Sequence, residues 1–470
     1  EKPKVCIVGA GPTGLVALKH LKDIADCTSY EIKDQIGGLW VYNESITPTD
    51  CNKFFSLYKT THESIYQDLT TIIPIHFFAF KDFPPKITDH LHFTHQEVLE
   101  YLNDYSNHFG LESMIQFNTS VRDISQTDEG NWKVKVEKNS GIVEEIYDYV
   151  VVCNGHNSVP YSPEKDMKGL EDFQGKVMHT HDFRKPDTED FSKKNVLMVG
   201  MKWSGMDILY QFTDLKRIRS YISNPLDILD IDIKESSTDF NKIIISSTAV
   251  KMILESDDFK PFVDDERIIG KMSNKLEFKE NSVVFEDGTE ENIDIVIFCT
   301  GYKYSFPFIN DESLVKMDEE GRYYGPLYQK TFSIENPTLM FAGQSDSNSL
   351  IQQLMEKQVI LIKYYIEGRL DLPSKKDMHL SLLDEIKDIE SVGLRNFYKA
   401  PTLNQFGYIK SMCKLLKDNN IEPSETNKKY MDVLISMLKI FKETIMKGNF
   451  IQFKKYDYQS LIPLDFAFDT

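Results

Sequence analysis

No stretch of this chain approaches the ~20 consecutive apolar residues that a bilayer-spanning helix needs, so no transmembrane segment is expected. Positive charge is scarce too: 54 Lys and Arg stand against 73 Asp and Glu, a net charge of −19. That balance opposes nucleic acid and anionic membrane surfaces as partners, although a local basic pocket around a phosphate stays compatible with it. The six cysteines, Cys6, Cys27, Cys51, Cys153, Cys299 and Cys413, have neither metal-type nor redox-pair spacing. Cys6, Cys153 and Cys299 lie inside apolar strand-like runs, where a small buried thiol is the ordinary reading. No metal site is expected, and a reducing compartment is, either cytoplasm or an organelle matrix. The chain opens on Glu1 rather than Met, which leaves a preceding leader open. No catalytic triad, internal repeat or low-complexity tract stands out. What remains is a globular composition, 41% hydrophobic and 27% charged over 470 residues, enough for two or three core-bearing units.

What is present is a pair of glycine turns. The first is Val5-Cys6-Ile7-Val8-Gly9-Ala10-Gly11-Pro12-Thr13-Gly14, and the second is Val196-Leu197-Met198-Val199-Gly200-Met201-Lys202-Trp203-Ser204-Gly205. Each is a short apolar run entering a glycine turn and then an amphipathic stretch, the arrangement of a phosphate-cradling strand-to-helix unit. In the first, Gly9 allows the sharp turn, Gly11 leaves the pyrophosphate its approach, and Gly14 allows close helix–sheet packing. Glu31 ends the next strand-like run and is placed to hold ribose hydroxyls. Its charge would repel a 2′-phosphate, so FAD or NAD suits this turn better than NADPH. Two such turns predict two dinucleotides, one held and one exchanged.

The order of apolar runs predicts an α/β chain of two Rossmann-like dinucleotide-binding domains, one inserted in the other, followed by C-terminal helices. The first unit covers residues 1–165, ending in Tyr149-Val150-Val151-Val152-Cys153 and a linker marked by Pro160 and Pro163. The inserted unit, 166–299, begins its sheet at Val196 and closes with Ile293 to Cys299. The chain then returns to the first unit over 300–375, through Thr338-Leu339-Met340-Phe341-Ala342-Gly343 and the helical pattern Leu350 to Ile366. Residues 376–470 read as surface helices. The acidic run Asp257-Asp258 with Asp264-Asp265-Glu266 reads as a solvated face.

Four separated segments give the chain a resemblance to the flavin-containing monooxygenases, within them the soluble trimethylamine-monooxygenase-like branch. The family's identifying pattern of Phe, Gly, His and an aromatic is matched by Phe173-Gln174-Gly175-Lys176-Val177-Met178-His179 with His181-Asp182-Phe183-Arg184. Cys299-Thr300-Gly301-Tyr302 looks like its interdomain linker, and Gly37-Gly38-Leu39-Trp40 like its flavin-side segment. The resemblance implies FAD at the first turn, NADPH at the second, and oxygenation of a small soft nucleophile, an amine nitrogen or a sulfide sulfur. The protein then supplies no nucleophile or metal of its own; it positions cofactors and excludes water. Carried over residue by residue, the FAD neighbours are Gly9, Gly11, Gly14, Glu31, Gly38, Leu39, Trp40, Thr71, Val121, Gln344 and Asp346. Those of NADP are Gly200, Lys202, Ser204, Gly205 and Ser223, while Trp203 either stacks on the nicotinamide cofactor or simply packs the turn. His179 and His181 are expected to form a structural turn between domains. A homodimer or a larger assembly is the expected state.

Three departures from the family pattern all fall on the nicotinamide and oxygen-activation side. Ile72 stands where the family usually places an asparagine donor, whose removal can cost roughly 10²–10³ in rate by analogy with oxyanion sites. Lys202 replaces a small residue in the second turn, where it either cradles a phosphate or obstructs it. Ser223 replaces an arginine that would grip the 2′-phosphate, although Lys202, Arg217 or Arg219 can compensate. A second reading follows: a family member that kept FAD, lost oxygenation, and serves a structural or regulatory role in a larger assembly. A third, a disulfide reductase of the same two-domain logic, is disfavoured because no paired redox cysteines exist.

Overall fold

The computed structural model describes residues 1–44, 63–71, 78–86, 92–161, 163, 167–185, 191–200, 203–213, 242–246, 266–271, 273, 275–318, 321, 323–344, 351–391 and 405–422. Strand β1 (Lys4–Val8) is central. It pairs in parallel with β2 (Asp26–Tyr30) on one side and β7 (Tyr149–Val152) on the other, and Val5 to Val8 are all buried. Burial of both faces is why the run is continuously apolar rather than alternating. Helix α1 (Pro12–Leu21) follows with Pro12 in its first turn and Lys19 and His20 in its last, a polarity that suits the helix dipole.

The same sheet takes β3 (Ile115–Gln116) beyond β2, and on the other flank β15 (Leu339–Phe341), β14 (Phe332–Ser333) and β13 (Leu327–Tyr328), giving the order β13-β14-β15-β7-β1-β2-β3. Chain segments far apart in sequence therefore close one sheet. Helix α2 (His95–Phe109) is bounded by a Thr94–Glu97 capping box and by Gly110 in the left-handed region at φ 64°. An antiparallel meander of β4 (Ser120–Gln126), β5 (Trp132–Lys138) and β6 (Gly141–Tyr147) stands beside it.

A second, five-stranded parallel sheet holds β8 (Lys176–His179), β9 (Asn195–Val199), β10 (Lys242–Ser246), β11 (Ile268–Lys271) and β12 (Ile295–Phe298), in the order β8-β12-β9-β10-β11. The expectation that this sheet begins at Val196 is corrected here. Lys176–His179, inside the identifying segment, is already an edge strand against β12. It escaped the sequence reading because only Val177 and Met178 of its four residues are apolar. Helix α3 (Trp203–Thr213) follows β9.

Helix α4 (Ile351–Ile366) packs on α1, and α5 (Lys375–Ser391) and α6 (Gln405–Asp418) lie outside. α5 buries Met378 and Leu382, and α6 buries Tyr408, Ile409, Met412 and Leu415, all in the core that contains β1. These are amphipathic surface helices with one stripe inward. His20 Nε2 lies 3.1 Å from the buried Glu356 carboxylate, tying α1 to α4. Among the described residues no helix is long and apolar enough to cross a membrane, and no His, Cys, Asp and Glu cluster has metal-binding geometry.

Candidate functional site

The first glycine turn is assembled around backbone contacts. Gly9 has φ 103°, and a Cβ there would lie 2.8 Å from the Cys153 carbonyl oxygen. A Cβ on Gly14 would come 1.9 Å from the Gly9 carbonyl oxygen. Both glycines are required by the fold itself. Gly11 is different: its φ is −73°, and an added Cβ would meet only Gly38 Cα at 3.5 Å, an ordinary contact. Nothing among the described residues demands glycine at position 11. A pyrophosphate approaching the N-terminus of α1 does, and the turn therefore fits one.

Glu31 stands beside this turn, buried. Its Oε2 accepts the Ala10 amide at 2.7 Å and its Oε1 the Lys33 amide at 3.0 Å. Each oxygen keeps a lone pair for a further donor, as ribose hydroxyls would provide. Burial raises the Glu31 carboxyl above the usual carboxylate range, with the two amide donors pulling the other way. Gly37 and Gly38 carry φ of 122° and 55°, and the Gly37 amide donates to the Ala10 carbonyl at 3.2 Å. Leu39 and Trp40 follow, the indole edge-on to Phe78 at 5.4 Å.

On the opposite flank, Gln344 follows β15. Its Nε2 donates to Asn154 Oδ1 at 2.9 Å, and Asn154 Nδ2 donates to the Ser305 carbonyl at 2.8 Å. The Gln344 Oε1 is buried and has no partner among the described residues, which leaves it able to accept a donor from elsewhere. Asn154 received no role from the sequence; its place directly after the strand ending at Cys153 was the available signal.

The second turn repeats the first in backbone terms. Gly200 has φ 96°, and a Cβ there would lie 2.7 Å from the Cys299 carbonyl oxygen, as Gly9 stands to Cys153. The Cys299 amide donates to Val199 at 2.8 Å, and the Cys153 amide to Val8 at 2.9 Å. Ser204 and Gly205 lie in the first turn of α3, Gly205 buried. Trp203 opens that helix, with its side chain outside the description. Lys202, Ser223, Ile72 and Asp346 lie outside the described residues.

Between the turns runs the identifying segment. His179 and His181 are fully buried against the Tyr302 ring, at centroid distances of 5.3 and 5.8 Å. Burial pushes His179 down to about 4, so it is neutral. Arg184 is the residue whose role the sequence did not disclose. Its buried guanidinium donates to the carbonyls of Ile65 (2.7 Å), Phe183 (2.9 Å) and Glu63 (2.7 Å), and its own carbonyl accepts the Gln67 amide at 2.7 Å. Tyr66 packs edge-on to Phe183 at 6.0 Å. Further along the same stretch, the Thr71 amide donates to the Phe93 carbonyl at 2.7 Å and the Thr71 hydroxyl accepts the Phe93 amide at 3.1 Å. Val121 sits in the meander opposite Val136, outside the seven-stranded sheet.

A family model described as flavin-binding monooxygenase-like matches residues 2–224 and 231–443. The chain belongs to that family. Flavin-containing monooxygenase FMO GS-OX-like 2 of Arabidopsis thaliana is 30% identical over 423 residues, 86% of this chain and 83% of the relative. Among solved structures, S-allyl-L-cysteine S-oxygenase from Allium sativum superposes with a TM-score of 0.76 at 25% identity, covering 98% of this chain and 97% of that one. Tmm from Pelagibacter sp. strain HTCC7211 shares the fold, with a TM-score of 0.68 at 22% identity over 88% of this chain and 86% of its own. This monooxygenase is thus a flavoenzyme of a family in which FAD and NADPH are the usual cofactors. The resemblance carried by the Phe173 to Arg184 segment and its companions pointed to the same family.

The upward shift of Glu31 has a measurable consequence. A ribose hydroxyl donates best to the charged carboxylate, so FAD release should quicken on acidification, beginning above the range of an exposed glutamate. The sign for folding is opposite. A carboxyl with a raised native pKa favours the folded state below that value and opposes it above, so Glu31 does not drive acid unfolding. FAD loss should therefore precede loss of fold as the pH falls, followed by flavin fluorescence and circular dichroism together. Glu31→Gln should bind FAD more weakly and lose this pH step; a wild-type step that persists in the variant would assign it to another group.

Proposed function

We propose that this monooxygenase uses NADPH and dioxygen to oxygenate a soft nucleophile, with sulfide sulfur favoured over amine nitrogen. The observation carrying this reading is the likeness to S-allyl-L-cysteine S-oxygenase over nearly the whole of both chains. The balanced reaction converts thioether, dioxygen, NADPH and a proton into sulfoxide, water and NADP⁺. The chemistry that bound FAD supplies is two-electron activation of dioxygen. The residues proposed to hold it are Gly9, Gly11, Gly14, Glu31, Gly38, Leu39, Trp40, Thr71, Val121, Gln344 and Asp346, in a unit drawn from 1–165 and 300–375. Gly200, Lys202, Ser204, Gly205 and Ser223 of the inserted unit 166–299 are proposed to receive NADPH, with Trp203 and Ile72 at the reacting end. The protein's own work is to align the two nucleotides and keep water from the reacting centre.

Ile72, Lys202 and Ser223 support a second reading, a family member whose nicotinamide site and oxygenation are impaired. One titration separates the two. NADPH added without oxygen should bleach the flavin band, with a narrowed preference over NADH. In air, the first reading expects about one sulfoxide per NADPH from an S-alkyl cysteine, whereas the impaired reading expects less, the remainder appearing as hydrogen peroxide. Ile72→Asn should raise that ratio. Tightly coupled turnover by the unmodified protein would remove the impaired reading. A flavin that neither coenzyme bleaches would remove the first.

A further inference from the structure

Gly343 ends β15 in the left-handed region at φ 74°, and a Cβ there would lie 2.1 Å from Thr13 Oγ1 in the first turn of α1. Its amide donates to Gln358 Oε1 of α4 at 3.0 Å. The other end of that side chain, Nε2, donates to Tyr408 Oη of α6 at 3.0 Å and to the Lys330 carbonyl at 3.3 Å. Tyr408 passes the chain on, donating to the Gln329 carbonyl at 2.8 Å, while Ser411 of the same helix donates to Gln329 Oε1 at 2.9 Å. Lys330, 1% exposed, pairs with Glu385 of α5, and its ammonium lies 5.3 Å from the Tyr408 ring centre. Gln329 and Lys330 form the tight turn between β13 and β14 with φ of 52° and 50°, a conformation unfavourable for residues with side chains. Helices α5 and α6 grip the one turn in this sheet whose backbone most needs holding.

We propose that α5 and α6 are a positioning element of the flavin pocket, acting through Tyr408 and Gln358 on the backbone at Gly343 and so on the Gln344 amide. The Gln358 side chain has one orientation open to it. Its oxygen is taken by the Gly343 amide and its nitrogen by two acceptors, so a flip breaks all three bonds. Gly343 in turn lies so close to Thr13, beside the first glycine turn, that no side chain fits between them, and Gln344 contributes a buried oxygen with no partner among the described residues. A tail helix remote in sequence thereby reaches both halves of the cofactor site.

This inference rests on Gln344 bordering the flavin, and three variants of the full-length holoenzyme test it. Tyr408→Phe keeps the ring beneath Lys330 and removes only the hydroxyl. Gln358→Met keeps the length of the side chain without its polar atoms. Tyr408→Phe loses two of these bonds and Gln358→Met three; each should speed FAD release by about tenfold or more and shift the flavin absorption envelope. The FAD-free forms should melt below the unmodified FAD-free protein, because both changes leave buried partners without a hydrogen bond, but the faster release should persist at temperatures where the FAD-free variants are fully folded. Unchanged release and absorption in folded Tyr408→Phe would overturn the proposal, whether or not Gln358→Met folds. A lowered FAD-free melting temperature with unchanged release would overturn it too, leaving a purely structural contact. Gln344→Ala distinguishes the failures. If it alters the flavin spectrum while Tyr408→Phe does not, the positioning role alone is wrong. If Gln344→Ala leaves the spectrum untouched in a protein that holds FAD, the placement of Gln344 is wrong and the proposal falls with it.

Discussion

Gly11→Ala is expected to give a folded protein that no longer retains FAD. The expectation comes from the contrast among the three glycines of the first turn. Alanine at position 14 would place a methyl 1.9 Å from the Gly9 carbonyl oxygen, and alanine at position 9 would need φ 103° with a Cβ 2.8 Å from the Cys153 carbonyl. Either change must move the backbone. At position 11 the backbone is ordinary and the new methyl touches only Gly38 Cα at 3.5 Å. Its cost falls on whatever occupies the N-terminus of α1. Retained flavin should drop by about tenfold or more, because a displaced pyrophosphate loses its amide donors. The circular dichroism and the FAD-free melting temperature should be those of the parent. Gly14→Ala should instead lower both flavin content and melting temperature. A yellow Gly11→Ala protein with parental FAD affinity would mean that the pyrophosphate lies elsewhere.

Arg184→Met should release the stretch Glu63 to Gln67 from the turn at Phe183 and residue 184. Three carbonyls lose a buried guanidinium donor, those of Glu63 and Ile65 on the held segment and that of Phe183 beside it. Leaving a buried acceptor unmade costs about 1–3 kcal/mol, so the local loss is about 3 kcal/mol after partial relaxation. That corresponds to roughly a hundredfold in the local opening equilibrium. The amide of Gln67, bonded to the Arg184 carbonyl, should exchange with solvent correspondingly faster. On the proposed FAD role of Thr71, four residues beyond Gln67, FAD release should accelerate as well. Arg184→Lys should recover only part of the effect, since an ammonium cannot span the carbonyls that the planar guanidinium reaches. Parental exchange at Gln67 in Arg184→Met would show that packing of Tyr66 on Phe183 suffices.

The parts of this fold that the sequence disclosed are those where one local requirement dominates. Continuous apolar runs at Val5 to Val8, Val150 to Val152 and Ile295 to Phe298 can only be strands buried on both faces, and glycines at 9 and 200 mark turns no other residue makes. Lys176–His179 was missed as a strand because an edge position tolerates a mixed composition. Arg184 lies inside the Phe173 to Arg184 segment and Asn154 directly follows an apolar run, yet neither residue type announces its task. Their partners, the carbonyls of Glu63, Ile65 and Ser305, are backbone atoms that carry no residue-type signature. The Gln358 junction was equally silent, since a glutamine inside a helical pattern reads as solvent-facing until the fold buries it.

The seven-stranded sheet has a consequence for how this protein is made. β7 ends at Val152 and its neighbour β15 begins at Leu339, about 190 residues later in the chain. At ~5–20 residues per second a ribosome needs roughly ten to forty seconds to deliver the missing strand. Through that interval the Val150-Val151-Val152 ribbon has one unpaired edge, an apolar template for wrong pairing. Gln344 arrives later still. The nascent chain therefore shows its first glycine turn early and its complete first sheet only once residues 339–341 have emerged, which makes the interval before them the window in which a chaperone has most to protect.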